Sequence, residues 1–374
     1  MQKFSHKGNN MKKTFLKIAS MVLVVALVMA LSVAFVGCNT GLKVSGSAKN
    51  VILLIGDGMG LEHLEAVKAY YGLDSLYMES MTDRYFEQTT ASRDSDVTDS
   101  AAAATALSCG KKTDIESLAM VDGKKLQNMS EYVAKRKMDM GVVVTEGVTG
   151  ATPAGFSAHA NERDEDNTIL QSQIGSDVDL FISYESAVVM TNEQEILDKG
   201  FTRFNSVAEL NENAYTANKI FATDDEFAGY GEEGASLKDA SMFAINYLDQ
   251  KSDKGFFAMI ESSHIDKLSH NNDFDEVAKE IRAFDETIKA VLEWAKQDGE
   301  TLVIITADHE TGGLVYNPGD ELKDSLFTSR DHTGVNVGVF VYGLDENDLT
   351  DKTVLDNTEI CDLMRKYIAN YKKR

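Results

Sequence analysis

The chain has 374 residues, 43% of them apolar, which is enough for one large domain or two ordinary ones. Its formal net charge of -23 argues against nucleic acid as a partner, because a surface that binds a phosphate backbone is basic. The three cysteines, Cys38, Cys109 and Cys361, provide neither a disulfide framework nor a CxxC-type zinc site, and the last two are expected to be inert thiols.

Residues 1–38 have the character of an export signal. Several lysines precede an apolar run over residues 18–36, and a glycine then precedes Cys38. This ending is similar to a bacterial lipoprotein signal, in which the cysteine is lipidated, although Phe35 stands where leucine is more usual. The run also approaches the length that spans a bilayer, so an uncleaved anchor is the alternative. Either one predicts an exported protein that is attached to the membrane on the extracytoplasmic face.

The rest of the chain predicts a tether followed by one α/β domain. Residues 39–49 are rich in glycine, serine and lysine and are expected to form a flexible tether before a domain over residues 50–374. Continuous apolar runs, typical of strands buried on both faces, occur at residues 51–55, 141–145, 255–260, 301–306 and 335–342. Helical patterns lie between the runs, notably at residues 237–249, 274–297 and 357–371. This alternation predicts a mostly parallel sheet covered by helices.

An early segment, residues 97–106, places Asp99 and Ser100 before a run of alanines. Alanine is the best helix former, so Ser100 is expected near the start of a helix. The N-terminus of a helix favours an anion such as phosphate. Ser100 is then either a nucleophile that a base or a metal activates, or, with Asp99, part of an ordinary helix cap.

Polar residues directly follow several of the predicted strands. Asp57 follows the first strand, Glu261 follows a later one, and Asp308 with His309 follows the next. Because sites in such sheets lie beyond the carboxyl ends of the strands, these side chains are expected to converge. Mixed carboxylate and imidazole ligands suit zinc, whereas a set of oxygen ligands suits magnesium. Each residue alone has an ordinary structural interpretation, but the set favours a metal cluster.

Two further segments carry candidate ligands whose interpretation stays open. Asp266 and His270 are spaced one helical turn apart and share a helix face, as either a surface pair or two ligands. His332 lies in the segment 331–334, which is either a plain loop or part of the same cluster.

Several of these segments resemble signatures of the alkaline phosphatase family, in the expected order. They are residues 50–60, 98–102, 306–313 and 332–334. The resemblance extends from Asn50 to about Gly343. It implies a three-layer α/β/α sandwich, with residues 50–374 forming a single catalytic domain that hydrolyses phosphate monoesters.

The resemblance also implies a role for individual residues. Ser100 corresponds to the nucleophile that forms a phosphoserine intermediate, Arg163 to the phosphate-clamping arginine, and Asp99 would orient Arg163. The implied ligands are Asp57, Asp308 and His309 for one zinc, Asp266, His270 and His332 for a second zinc, and Asp57, Thr152 and Glu261 for one magnesium.

The sequence departs from the family pattern in two places. Gly150 stands where the family usually has an aspartate or histidine that helps to hold magnesium, so the affinity and identity of the third metal stay open. Lys267 is hypothesised to compensate in part through water. The segment between His309 and His332 is short, which predicts a reduced crown insertion and leaves both a monomer and a homodimer open.

Two alternative functions remain beside the monoesterase. A phosphodiesterase of the same superfamily would more often use threonine as its nucleophile, and a sulfatase a modified cysteine, so Ser100 with Arg163 favours small phosphate monoesters. A non-catalytic lipoprotein that binds phosphate or metal would not need an activated serine. The acidic segment 171–235 receives no role, and four histidines match no ligand position: His6, His63, His159 and His264.

Overall fold

A mostly parallel β-sheet is the central element of the computed structural model. The sheet belongs to a compact unit that comprises residues 43–374. The structure describes residues 42, 44–210, 213–227 and 235–372. The expected export segment, with Cys38 and the apolar run before it, therefore lies outside the described residues. Among the residues that are described, none of the helices combines the length and apolar character that a membrane crossing requires.

The strands in the described ranges are β1 (Asn50–Gly56), β2 (Arg84–Thr89), β3 (Met120–Val121), β4 (Lys124–Lys125), β5 (Asp139–Gly147), β6 (Leu180–Tyr184), β7 (Thr202–Phe204), β8 (Ile220–Asp224), β9 (Phe256–Ser262), β10 (Thr301–Thr306), β11 (Glu310–Thr311), β12 (His332–Thr333), β13 (Val337–Tyr342) and β14 (Val354–Asp356). Ten of them form the central sheet, in the order β14-β2-β13-β10-β1-β9-β5-β6-β8-β7. Neighbouring strands are parallel except where β13 pairs with β10 and with β2.

The helices in the same ranges are α1 (Leu61–Tyr71), α2 (Tyr77–Ser80), α3 (Ser100–Cys109), α4 (Met129–Ala134), α5 (Ala151–Ser157), α6 (Asp166–Ile174), α7 (Ala187–Thr191), α8 (Glu193–Asp198), α9 (Leu237–Lys251), α10 (His264–Asn271), α11 (Phe274–Asp298) and α12 (Asn357–Asn370). Short 3-10 turns are formed by Val207–Glu209, Ala214–Thr216 and Asp324–Leu326.

Helices cover both faces of the sheet and complete a three-layer sandwich. On one face, Ile52 and Leu54 of β1 pack in a large apolar cluster with α1, α9 and α11. On the other face, Phe156 of α5 stacks on Phe257 of β9, with ring centroids 6.1 Å apart. Because every residue of β1 is buried, the strand needs apolar side chains in both directions. The predicted α/β/α sandwich with a mostly parallel sheet is confirmed.

The predicted strands and helices lie close to the observed ones. For example, the run at 51–55 is the centre of β1, and the helical pattern at 274–297 is α11, which ends at Asp298. The sequence analysis did not identify β2, where polar and apolar residues alternate along a half-buried strand. It also missed β6, β7 and β8, which lie in the acidic segment 171–235 and extend one side of the sheet.

Two connecting segments correspond to the expected reduced crown and to the expected tether. Between β11 and β12 the chain forms irregular loops and the 3-10 turn Asp324–Leu326, so the insertion at this position is small, as expected for a reduced crown. The described end of the expected tether follows the domain surface: the backbone N–H groups of Ser45 and Gly46 donate to Asp348 at 2.6 and 2.9 Å.

The contact between α3 and α5 leaves little room at Gly155. A Cβ at this position would lie 2.8 Å from the Cβ of Ala104. We expect Gly155→Ala to lower the free energy of unfolding by about 1–3 kcal/mol, because the extra methyl group forces two packed helices apart. Urea unfolding followed by circular dichroism measures this loss.

Ala104→Gly provides the matched test, because it removes the opposing methyl group. Alone it should cost about 1 kcal/mol through the lower helix propensity of glycine. In the double variant the loss should be smaller than the sum of the two single losses, since the close contact is relieved. Strictly additive losses would contradict this account of the contact.

Candidate active site

The predicted site residues meet at the carboxyl ends of the central strands. Asp57 follows β1, Glu261 lies at the end of β9, Asp308 follows β10, and Thr152 lies in α5, which follows β5. These strands are neighbours in the order β10-β1-β9-β5, and they run parallel. Parallel pairing therefore places the four residues at one edge of the sheet.

The first cluster surrounds the ring of His309, which is fully buried. Its Nε2 atom lies 3.1 Å from Ser100 Oγ, 3.3 Å from Asp308 Oδ2 and 3.5 Å from Asp57 Oδ1. The other oxygen of Asp308 accepts hydrogen bonds from the backbone N–H groups of Gly58 and His309, which hold this carboxylate in place. The predicted first-zinc ligands and the predicted nucleophile thus form one group.

The second cluster comprises Asp266 and His270 of α10 with His332 of β12. Asp266 Oδ1 lies 3.3 Å from His270 Nε2 and 3.5 Å from His332 Nε2, and these two ring nitrogens are 3.2 Å apart. The opposite nitrogen of each ring contacts a backbone carbonyl oxygen, that of Arg330 or that of Thr98. These carbonyl contacts fix both rings so that Nε2 points toward Asp266.

Asp266 connects the two clusters. Three-ligand groups that could hold a metal ion are Asp266, His270 and His332, and also Asp57, Asp266 and His309, with ligand atoms within 4.8 Å of one another in each. Thr311 contributes to this connection, because its hydroxyl contacts both Asp266 Oδ1 and His309 Nδ1. The sequence analysis assigned Asp266 to the second cluster alone and gave Thr311 no role.

Several buried oxygen atoms at this edge have no hydrogen-bond partner among the described residues. They are Asp57 Oδ1, Asp308 Oδ2, Thr152 Oγ1 and both carboxylate oxygens of Glu261. An unpaired polar group is costly to bury, so a cation among these oxygens would be strongly favoured. Mixed carboxylate and imidazole groups fit zinc, and the oxygen set of Asp57, Thr152 and Glu261 fits magnesium.

The burial of these oxygens also shifts the pKa values of their carboxyl groups. Burial raises the pKa of Asp57 well above its usual range, and the nearby charge of Asp308 raises it further. The pKa of Glu261 is raised by burial and by Glu146 and Asp308. Without a cation these carboxylates therefore favour the protonated form, and a bound cation would favour the charged form instead.

In the second cluster, hydrogen bonds shift the pKa of the carboxylate in the opposite direction, below its usual range. Burial acts to raise the pKa of Asp266, but hydrogen bonds with His270 and His332 hold that pKa well below its usual range. The hydrogen bond to Asp266 raises the pKa of His270 to about 9. In the absence of metal, this cluster is an ion pair between a carboxylate and a protonated imidazole.

Ser100 is the first residue of α3, and Asp99 caps this helix. Asp99 Oδ1 accepts a hydrogen bond of 3.0 Å from the Ala102 N–H, so the capping interpretation of Asp99 describes its structure correctly. Its other oxygen lies 3.2 Å from Arg163 Nη1. One carboxylate thus fixes the start of the helix and also holds the guanidinium near Ser100.

The described histidines outside the two clusters have other contacts. His63 Nε2 lies 3.3 Å from Ser269 Oγ, and its Nδ1 is 3.9 Å from Glu310 Oε1. His159 Nε2 contacts the Leu126 carbonyl, and His264 Nδ1 is 3.4 Å from Glu280 Oε1. Glu310 also accepts a hydrogen bond from Thr333, next to His332, so it supports the second cluster from behind. Glu310 lies within the segment 306–313, but no pattern in the sequence indicates this contact.

Comparison with known proteins agrees with the geometry. The model of the alkaline phosphatase family matches residues 48–197 and 208–324. Alkaline phosphatase 4 of Bacillus subtilis is 30% identical over an alignment of 342 residues, and the alignment covers 83% of this chain and 72% of that protein. Alkaline phosphatase 3 of the same organism is 33% identical over an alignment of 289 residues, and the alignment covers 71% of this chain and 62% of that protein.

A solved structure supports the same relationship. The alkaline phosphatase of the Antarctic bacterium TAB5 superimposes with a TM-score of 0.77 and 30% identity, covering 87% of this chain and 100% of that one. A histidine-to-glutamate variant of that enzyme, with a TM-score of 0.75, has Mg bound in its M3 site. The fold and the site thus define a metal-dependent phosphatase. Within this class, the chain belongs to the alkaline phosphatase family.

The environment of His63 generates a prediction about acid stability. Burial lowers its pKa to about 4, whereas in the unfolded chain it titrates near 6.5. Below pH 6.5 the unfolded state therefore binds a proton that the folded state does not. Relative to a His63→Gln variant, the wild type should lose about 2 kcal/mol of stability between pH 7 and pH 5.

Urea unfolding of both proteins at the two pH values tests this difference. A chelator in every sample keeps metal release at acid pH out of the comparison. Parallel pH dependences for the wild type and the variant would show that the folded state accommodates the proton on His63, contrary to its buried position.

Proposed function

We propose that this protein hydrolyses small phosphate monoesters through a phosphoserine intermediate on Ser100, with two zinc ions and one magnesium ion. The observation that carries the proposal is the position of Ser100. Its hydroxyl lies at the N-terminus of a buried helix and 3.1 Å from His309 Nε2, beside carboxylate oxygens that have no hydrogen-bond partner among the described residues.

Ser100 has the surroundings that a nucleophile requires. A serine hydroxyl is a weak nucleophile until its proton is removed, and the resulting oxyanion needs stabilisation. The positive end of the α3 dipole stabilises negative charge at this point, and Ser100 is the first residue of that helix. Ser100 is also 96% buried, which strengthens this electrostatic effect because little water screens it.

Arg163 is suited to bind the transferred phosphoryl group. Its guanidinium is held by Asp99, the residue before the nucleophile, and a planar guanidinium can donate two parallel hydrogen bonds to phosphate oxygens. About a third of the Arg163 side chain is exposed, so it is accessible to a substrate. Asp99 thus acts as a positioning residue rather than as a general base.

The residues of the two clusters, together with Thr152 and Glu261, would hold the metals. Asp57, Asp308 and His309 would bind one zinc, Asp266, His270 and His332 a second, and Asp57, Thr152 and Glu261 the magnesium. Bound zinc acts as a Lewis acid that lowers the pKa of an oxygen nucleophile and stabilises a departing oxygen. The protein's part is to hold these side chains in place, through the backbone contacts of Asp308 and of the two histidine rings.

We also propose that the protein is exported and held at the membrane, through a lipid on Cys38 or through an uncleaved anchor over residues 18–36. Support comes from the sequence of residues 1–38 alone. Fractionation of cells that express Cys38→Ser distinguishes the two: release from the membrane favours the lipid, and retention favours the anchor. Full secretion of the unmodified chain would contradict both.

Replacement of the nucleophile tests the proposed chemistry. Ser100→Ala should reduce the turnover of p-nitrophenyl phosphate by about a thousandfold or more, because no covalent intermediate can form. Ser108→Ala is a matched control on the same buried helix: Ser108 donates to the Gly155 carbonyl, so this change should lower stability and leave turnover measurable. Initial rates with zinc and magnesium supplied to both proteins measure the effect.

Three outcomes would contradict the proposal. Full activity of Ser100→Ala would exclude the serine intermediate. Faster turnover of bis-p-nitrophenyl phosphate than of the monoester by the unmodified protein would favour the phosphodiesterase instead. Absence of turnover on both esters, with metals bound, would leave the non-catalytic binding protein.

A further inference from the structure

Glu146, at the end of β5, is the least explained charged group near the site. Its side chain is 17% exposed, and its charge raises the pKa values of Asp57 and Glu261, two members of the oxygen set Asp57, Thr152 and Glu261. A carboxylate so close to other buried carboxylates adds like charge, which is unfavourable unless positive charge lies among them.

Gly150 explains how Glu146 reaches this position. A Cβ built on Gly150 would lie 1.9 Å from Glu146 Oε1 and 2.3 Å from its carboxyl carbon. Any side chain at position 150 would therefore occupy the volume that the Glu146 carboxylate fills. Gly150 has an ordinary negative φ of -52, so the absence of a side chain here serves space rather than backbone conformation.

The oxygen set beside Glu146 is built for a ligand. Glu261 and Thr152 are completely buried, and neither the Glu261 carboxylate nor the Thr152 hydroxyl has a hydrogen-bond partner among the described residues. Lys267 lies on the outer side, with its Nζ 3.0 Å from Glu146 Oε2. One Glu146 oxygen is thus paired with a lysine, and the other lies in the space beside Gly150.

We propose that Glu146 is a further member of the magnesium site, supplying from β5 the carboxylate that position 150 lacks, and that Lys267 competes with the cation for this carboxylate. This inference rests on the proposed function for the presence of a cation beside Asp57, Thr152 and Glu261. It replaces the hypothesis that Lys267 compensates in part for Gly150 through water. Lys267 lowers the affinity for the cation rather than raising it, because its positive charge competes with the cation for Glu146.

Magnesium affinity of the full-length, zinc-loaded protein tests the proposal without relying on turnover. Glu146→Gln keeps the shape of the side chain and removes its charge, so magnesium should bind about 10–100-fold more weakly, as measured by isothermal titration calorimetry. Zinc content should not change. Glu162→Gln is the matched control: it removes the same charge from an exposed residue and should leave magnesium affinity unaltered.

Lys267→Met separates this role from a purely structural ion pair. If Glu146 holds the cation, removal of the competing lysine should raise magnesium affinity, whereas removal of Glu146 lowers it. If the pair is only structural, both variants should lower the melting temperature and leave magnesium affinity at the wild-type value. That second result would overturn the proposal.

A swap of positions gives an independent test. Glu146→Ala should bind magnesium weakly, and adding Gly150→Asp should restore binding, because the space beside position 150 is then free. Gly150→Asp alone should displace the Glu146 carboxylate, which is the end of a flexible side chain, because both side chains require the same volume. No recovery in a folded double variant would contradict the placement of Glu146. If instead the unmodified protein binds magnesium normally but does not hydrolyse p-nitrophenyl phosphate, the result would count against the proposed function and leave this inference intact.

Discussion

The structure depends on positive charge at one edge of its sheet. Three neighbouring parallel strands bring the buried carboxylates Asp57, Glu261 and Asp308 to this edge, and several of their oxygens have no hydrogen-bond partner among the described residues. Like charges buried together are unfavourable unless protons or cations compensate them. The raised pKa values of Asp57 and Glu261 express this cost in the metal-free state. Metal binding is therefore the condition under which the site carries its full charge.

Local positive charge also explains how a chain with a net charge of -23 can act on an anionic ester. Under the proposed function, the substrate would meet bound cations, the guanidinium of Arg163 and the positive end of α3, rather than the average charge of the surface. Asp99 links two of these elements, because one oxygen caps α3 while the other holds Arg163. The proposed nucleophile and the proposed phosphate clamp are thus fixed relative to each other by a single side chain.

Much of this arrangement could be predicted from the sequence, and the limits have physical reasons. Continuous apolar runs revealed the central strands, because strands buried on both faces carry a strong pattern, whereas the half-buried β2 does not. The helix start at Ser100 followed from local propensity. The contact of Thr311 with Asp266 joins two segments that are distant in the chain, and the Glu146 carboxylate fills space beside position 150. Both depend on how the chain folds in space, so no spacing along the sequence indicates them.

The central claim is that the carboxylate edge of the sheet is a three-metal site. Elemental mass spectrometry of the purified protein, incubated with zinc and magnesium and then separated from free metal, tests it most directly. The account predicts about two zinc ions and about one magnesium ion per chain. It also predicts loss of zinc in a variant that combines Asp308→Asn with His309→Ala. Less than one metal ion per chain in the unmodified protein would contradict the account.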